Sequence, residues 1–188
     1  MQKPVSSYSD TELYALLQTE TKEREEAFTE LYTRYSSRVF LYCRCILNDR
    51  DLVRDVFQET WLRLLQGVER GRMIENVPAY LLRICRNLCF DIKKNARTRV
   101  LVSFEDFKFP VEDKALETKE LQTLIATALE MLTDDYREAF ILQAYNGLSY
   151  KEIAEVIDEP VSTVRNRVVR AKYKIREILA PYLVGYRR

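Results

Sequence analysis

Ser149-Tyr150-Lys151-Glu152-Ile153-Ala154-Glu155-Val156-Ile157, then Asp158-Glu159-Pro160, then Val161-Ser162-Thr163-Val164-Arg165-Asn166-Arg167-Val168-Val169-Arg170: these residues decide the fold. Ser149 and Glu152 stand in the S-x-x-E order of a capping box, which starts a helix by satisfying its free N–H groups. Ile153, Ala154, Val156 and Ile157 give that helix an apolar side, and Asp158-Glu159-Pro160 breaks it. In the longer helix that follows, Val164, Val168, Ala171, Ile175 and Ile178 fall in one narrow arc, while Arg165, Asn166, Val169, Arg170, Tyr173 and Arg176 point away. A short capped helix with a small residue at the crossing, a tight turn and a donor-rich second helix spell a helix-turn-helix. The first turns of the second helix offer Ser162, Thr163, Arg165, Asn166 and Arg170 to base edges and phosphates. A plain helical hairpin with a solvated basic face is the rival reading of the same residues.

Helical periodicity extends in both directions. Leu121, Leu124, Ile125, Ala128, Leu129 and Leu132 form one stripe; Thr133 is placed to cap the next helix, with Tyr136, Phe140 and Ile141 or Leu142, which Asn146-Gly147 stops. Near the start, Ser9 to Glu12 form another capping box ahead of Leu13, Leu16 and Leu17. A long stripe follows through Phe28, Leu31, Tyr32, Tyr35, Val39, Tyr42, Cys43 and Ile46. Turn-favouring residues at 48–51 end it, and Asp51 is the expected cap of a third helix with Leu52, Val56, Trp61, Leu62 and Leu65. Residues 66–78 hold two glycines and a proline and read as a loop; 79–97 reads as a fourth helix burying Leu81, Ile84, Leu88 and Ile92, or close neighbours of these. Residues 98–117 lose the period and turn acidic, as a linker does, although Phe104, Phe107 and Phe109 imply that part of it docks on protein. The expected fold is all-α: two helical domains, 9–97 and 118–183, joined by a linker, the C-terminal one a helix-turn-helix domain.

Composition agrees with that reading and narrows the function. With only four glycines and five prolines in 188 residues, the chain lacks the turn-makers of a many-stranded sheet. The net charge of +1 hides two basic segments. Arg83, Arg86, Lys93, Lys94, Arg97 and Arg99 are set against Asp91 alone, and Arg165, Arg167, Arg170, Lys172, Lys174, Arg176, Arg187 and Arg188 against Glu177 alone. Two such stripes suit two phosphate-contacting surfaces. The absence of histidine removes the common catalytic triads and His-ligated zinc sites, no nucleophile–base pair is visible, and no enzyme activity or cofactor is expected. Cys43 and Cys45 diverge on a helix and Cys85 and Cys89 share a face; core packing is the expected role of all four, a thiolate metal site or redox switch the alternative. No apolar run is long enough to span a bilayer and the start lacks the apolar stretch of a signal peptide, so a cytoplasmic protein with no membrane insertion is expected.

Two sets of motifs stand out: Gly147-Leu148-Ser149-Tyr150, Glu152-Ile153-Ala154 and Thr163-Val164 with Arg167 near the end of the chain, and nearer its start Glu26-Ala27-Phe28 with Leu31-Tyr32 and Tyr35, Asp55 with Gln58-Glu59 and Leu62-Arg63, and Tyr80-Leu81, Arg83-Ile84, Arg86-Asn87-Leu88 and Asp91. By these C-terminal and N-terminal patterns the chain resembles the extracytoplasmic-function (ECF) group of RNA polymerase sigma factors. The resemblance implies a sigma factor that binds core polymerase, directs initiation at a limited promoter set and helps melt the start region. Asp55, Gln58, Glu59, Leu62 and Arg63 would dock on the clamp helices of the largest subunit, with the flap as a further contact. Arg70, Arg72, Asn76, Tyr80, Arg83, Arg86, Asn87, Lys93 and Lys94 would hold the opened minus-ten strand, which needs a stacking surface and a basic track. Ser162, Thr163, Arg165, Asn166, Arg167, Arg170 and Lys174 would read the minus-thirty-five duplex, and the linker would thread toward the polymerase active centre. The family also brings an anti-sigma factor into the set of partners. Five positions depart from its pattern: Asp158 for a glycine, Glu159 for an apolar residue, Tyr80 for a tryptophan, and Cys85 with Cys89 for small residues. The alternative function is a stand-alone helix-turn-helix regulator that binds intact duplex.

Overall fold

The computed structural model describes residues 4–47, 49–95 and 117–183, without the side chains of 95, 117–123 and 183. All regular structure among them is helical. After a 3-10 turn at Val5–Ser7 come α1 (Asp10–Leu17), α2 (Glu23–Ile46), α3 (Arg50–Glu69) and α4 (Val77–Asn95), then α5 (Glu117–Glu130), α6 (Asp134–Ala144), α7 (Tyr150–Ile157) and α8 (Val161–Leu183). The chain divides into two compact units that part between residues 99 and 100, with α1–α4 in the first and α5, α6, α8 and most of α7 in the second. The expected linker, with its three phenylalanines, lies outside the described residues apart from Glu117, the first residue of α5.

In the first unit α2 packs against α1, α3 and α4. Leu13 and Leu17 of α1, Leu31, Val39 and Tyr42 of α2, Val53 and Leu64 of α3 and Leu81 of α4 are closed to solvent. Such side chains supply most of the folding free energy, at about 1.5–3 kcal/mol each. The Ser9 capping box forms as expected. Arg34 then ties the chain start to α2, donating to the carbonyls of Ser6 (2.9 Å) and Tyr8 (3.0 Å), to Asp10 (2.9 Å) and to Glu30 (2.7 Å). Tyr35 adds a hydrogen bond from its hydroxyl to Asp10, and burial together with that bond pushes its phenol well up.

Three local expectations are corrected. The cap of α3 is Asp49, whose carboxylate accepts from the N–H groups of Asp51 (2.8 Å) and Leu52 (3.1 Å). The helix also runs through Gly67 to Glu69, so the loop spans only 70–76. Gly67 serves a close approach rather than a turn: a Cβ there would stand 2.9 Å from the Tyr80 hydroxyl. Gly71 (φ +66°) makes the stop, as the N–H of Arg72 bonds to Gly67 O (3.1 Å) and that of Gly71 to Val68 O (2.9 Å) in a Schellman arrangement. Finally, Tyr32 is not in the core; it is 39% exposed and joins Phe28, Phe40, Phe57 and Trp61 in a chain of ring contacts along α2 and α3.

In the second unit α8 packs on α5 and α6. Val164, Val168 and Ala171 are closed to solvent and Ile175 nearly so; Ile178 is only half-buried, and Leu179 takes the inner position beyond it. The Ser149 capping box forms at α7. Thr133 holds the cap position of α6 but makes no side-chain bond there. Asp158 closes α7 in the left-handed region (φ 56°, ψ 51°), a conformation that costs an L-residue about 1–2 kcal/mol. Asp158→Gly is therefore expected to stabilise the second unit by about 1 kcal/mol in denaturant unfolding; a loss of stability would contradict this account of the turn.

Candidate nucleic-acid and polymerase surfaces

Recognition of a nucleic-acid strand needs outward cations beside a planar group, and α4 carries both. At helical spacing Tyr80, Arg83, Arg86, Asn87, Lys93 and Lys94 fall within one arc of roughly 140°, opposite the apolar side with Leu81 and Leu88. Arg83, Asn87, Lys93 and Lys94 are exposed, and Arg86 is half-buried with its guanidinium 4.4 Å from the Phe90 ring centre. Arg72 donates to the Tyr80 hydroxyl (3.1 Å) and lies 5.7 Å from the ring centre, so the loop and the helix meet at this tyrosine. Gln18 holds that loop through Arg72 O (3.2 Å). Nearby, burial pushes the Tyr14 phenol up, with Tyr80 adding to it and Arg72 opposing. Arg70 is exposed. Asn76 is used structurally: its side-chain oxygen accepts from Ala79 N–H (3.0 Å) and caps α4.

On α3, Asp55, Gln58, Glu59 and Leu62 follow at i, i+3, i+4 and i+7 and form one ridge. Asp55 and Gln58 are exposed, Glu59 pairs with Arg63 (2.8 Å), and Leu62 is 54% exposed among them. An apolar side chain standing out between charged ones suits a protein partner better than solvent or a phosphate backbone.

On α8, Ser162, Arg165, Asn166, Arg170 and Lys174 are exposed; Thr163 is half-buried. Arg165 lies 6.0 Å from the Tyr150 ring centre, and Lys174 lies 5.0 Å from that of Tyr136. Arg167 differs from the others: it turns back to Glu159 (3.0 Å) and Asp135 (3.3 Å), with a fifth of its side chain exposed. It fixes the turn to α6 and α8, so the charge at Glu159, in a position where the family pattern has an apolar residue, has an internal partner.

Arg137 escaped the sequence reading, as did the approach of Cys43 to Cys85 and Cys89. Arg137, 6% exposed, donates to the carbonyls of Leu129 (2.8 Å), Glu130 (3.0 Å) and Leu132 (2.8 Å), closing the end of α5. In the first unit, the sulfurs of Cys43, Cys85 and Cys89 all lie within 4.8 Å of one another, and those of Cys43 and Cys85 are 3.0 Å apart. Hydrogen bonds from Cys43 and Cys85 pull the Cys89 thiol down to about 5, with Lys93 helping and burial opposing; burial drives the Cys85 thiol well up. Spacing along α4 brings Cys85 and Cys89 to one face, but only the packing of α2 on α4 adds Cys43.

A helical unit with a cationic helix arc and a second unit ending in a helix-turn-helix describe a DNA-binding transcription protein. Known proteins sharpen this. Residues 31–99 match the family model for Sigma-70 region 2, and residues 122–175 that for Sigma-70 region 4. The ECF RNA polymerase sigma factor EcfG of Rhodopseudomonas palustris is 32% identical over 69% of this chain and 72% of its own length. The ECF RNA polymerase sigma-E factor of Haemophilus influenzae is 27% identical over 90% and 96%. SigE of Mycolicibacterium smegmatis is 28% identical over 83% of this chain, which spans 63% of that relative's length. Among solved structures, CnrH in complex with the cytosolic domain of CnrY superposes with a TM-score of 0.66 at 23% identity, covering 92% of this chain and 97% of that one. The sigma factor RpoE of Bartonella quintana, in complex with the anti-sigma factor NepR, gives 0.66 at 22% identity over 82% and 98%. The chain belongs to the ECF RNA polymerase sigma factors. Among the described residues, no helix is long and apolar enough to cross a membrane.

Proposed function

We propose that this sigma factor binds core RNA polymerase through the α3 ridge, holds the opened minus-ten strand on α4, reads the minus-thirty-five duplex with α8 and so directs initiation at a limited promoter set. The domain borders that go with this reading are 9–97 for region 2, 98–117 for the linker and 118–183 for region 4. The observation that carries it is the separation of two outward cationic faces, on α4 and on α8, onto two different compact units of one chain. A duplex-only regulator has use for the second face and none for the first. The free energy of binding an unstacked strand on α4 would favour the melted state, which requires no chemistry by the protein itself. An anti-sigma factor is the regulatory partner we propose beside the polymerase. Both solved relatives above are held in complexes, and exposed Val169 and Tyr173 of α8 offer apolar area to such a protein.

Asp55→Arg tests the α3 assignment. It reverses an exposed charge on the ridge and is expected to weaken assembly with core polymerase about tenfold, with helix content unchanged. Titration of labelled protein with core enzyme measures this. Unchanged affinity would remove α3 from the interface.

A further inference from the structure

We propose that Cys43, Cys85 and Cys89 form a three-thiolate site for a soft, monovalent thiophilic metal ion of the cuprous type, buried between α2 and α4. The inference concerns the interior of the first unit and stands independently of the DNA and polymerase surfaces. Three observations carry it. The ligands come from two elements in a geometry that metal sites use: Cys85 and Cys89, one helical turn apart, face the same way, and Cys43 meets them from the packed neighbour. All three residues are closed to solvent. Their sulfurs converge on one another, with Cys43 and Cys85 nearer than two uncharged sulfurs in simple contact. Packing explains a single buried cysteine as a small apolar side chain; it does not explain three sulfurs turned to a common point.

The donor set selects the ion. Metal–thiolate bonds of about 2.3 Å put three sulfurs around one ion within roughly 4 Å of each other. Starting separations of no more than 4.8 Å are brought there by small χ1 adjustments. Thiolates favour Cu(I) and Zn(II) over hard cations. A closed zinc site takes four protein ligands. Among the described residues, no fourth His, Cys, Asp or Glu joins this group, and the chain has no histidine at all. A dry three-sulfur pocket therefore suits an ion content with three ligands. On binding, each S–H bond is replaced by an S–metal bond and its proton passes to solvent; copper enters as Cu(I), so no electron is transferred. The ion would tie α2 to the helix that carries Arg83, Arg86 and Asn87, on the side away from those residues.

The test uses the full-length, fully reduced protein, titrated anaerobically with Cu(I) against a chromophoric Cu(I) chelator, with Zn(II) in a parallel arm. The expected result is one Cu(I) per chain, a thiolate-to-copper absorption band in the near ultraviolet, and a rise in Tm of about 5 °C or more under saturating Cu(I). Cys89→Ala is expected to lose the band and the Tm rise and to weaken retention at least a hundredfold; Cys45→Ala, outside the trio, keeps all three. Far-ultraviolet circular dichroism of both variants without metal checks that they fold, and Cys85→Ala replaces Cys89→Ala if that variant does not. The proposal is overturned if wild type retains no Cu(I), if a trio variant that folds retains it as well as wild type, or if Zn(II) alone binds.

Discussion

Arg137→Met is expected to destabilise the second unit by about 3 kcal/mol or more, the largest single-residue effect on stability we anticipate. Helices end with carbonyls that have no partner within the helix. At the end of α5, one guanidinium reaches the oxygens of Leu129, Glu130 and Leu132 while a fourth bond goes to Asp134 (3.3 Å). Hydrogen bonds from a charged donor contribute about 1.5–3 kcal/mol each, and a buried acceptor left without a donor costs about 1–3 kcal/mol. Methionine fills similar volume and restores none of these bonds. For a unit of this size the loss corresponds to a fall in Tm of more than about 10 °C. Arg137→Lys should fall between, since one ammonium cannot fork to three carbonyls. Thermal unfolding followed through the second unit measures both. A change below about 0.5 kcal/mol for the methionine variant would mean that water satisfies these carbonyls equally well.

Arg165→Ala is expected to weaken use of an upstream promoter element about tenfold or more and to relax discrimination there, as loss of a base-contacting arginine does. The side chain is exposed in the first turns of α8, with Tyr150 beside it to limit its directions. Arg167→Ala makes the contrast. That arginine spends its donors on Glu159 and Asp135, so its loss should loosen the turn and lower stability while leaving base preference intact. Binding of the reconstituted holoenzyme to templates mutated base by base at the upstream element separates the two effects. Relaxed specificity in Arg167→Ala together with unchanged specificity in Arg165→Ala would reverse the assignment on α8.

These contrasts mark what could be read in the residues alone. Capping boxes at Ser9 and Ser149 are local grammar, and both form where they were expected. The apolar stripe of α8 and its outward donors follow from one period, so most of its exposed polar face was legible too. What depends on a second element was not. Gly67 reads as a loop residue beside Gly71, yet it lies inside a helix because Tyr80 comes from α4 to the place a side chain would fill. Asn76 and Arg167 carry the residue types of nucleic-acid contacts, and the fold uses one as a cap and the other as a brace. Arg137 stands one turn before Ile141 on the inner side of α6, a position that periodicity could have flagged as buried; its three carbonyl partners lie at the end of another helix. The cysteine trio needed the pairing of α2 with α4, which no spacing rule supplies.

In the proposed function this chain selects transcription start sites through core polymerase. Reconstituted transcription on genomic fragments, with purified core enzyme and with or without this protein, is the decisive experiment. Discrete start sites are expected only when both are present, with strand opening just upstream of each. Tight binding to intact duplex without polymerase, and a start-site pattern unchanged by the protein, would contradict it.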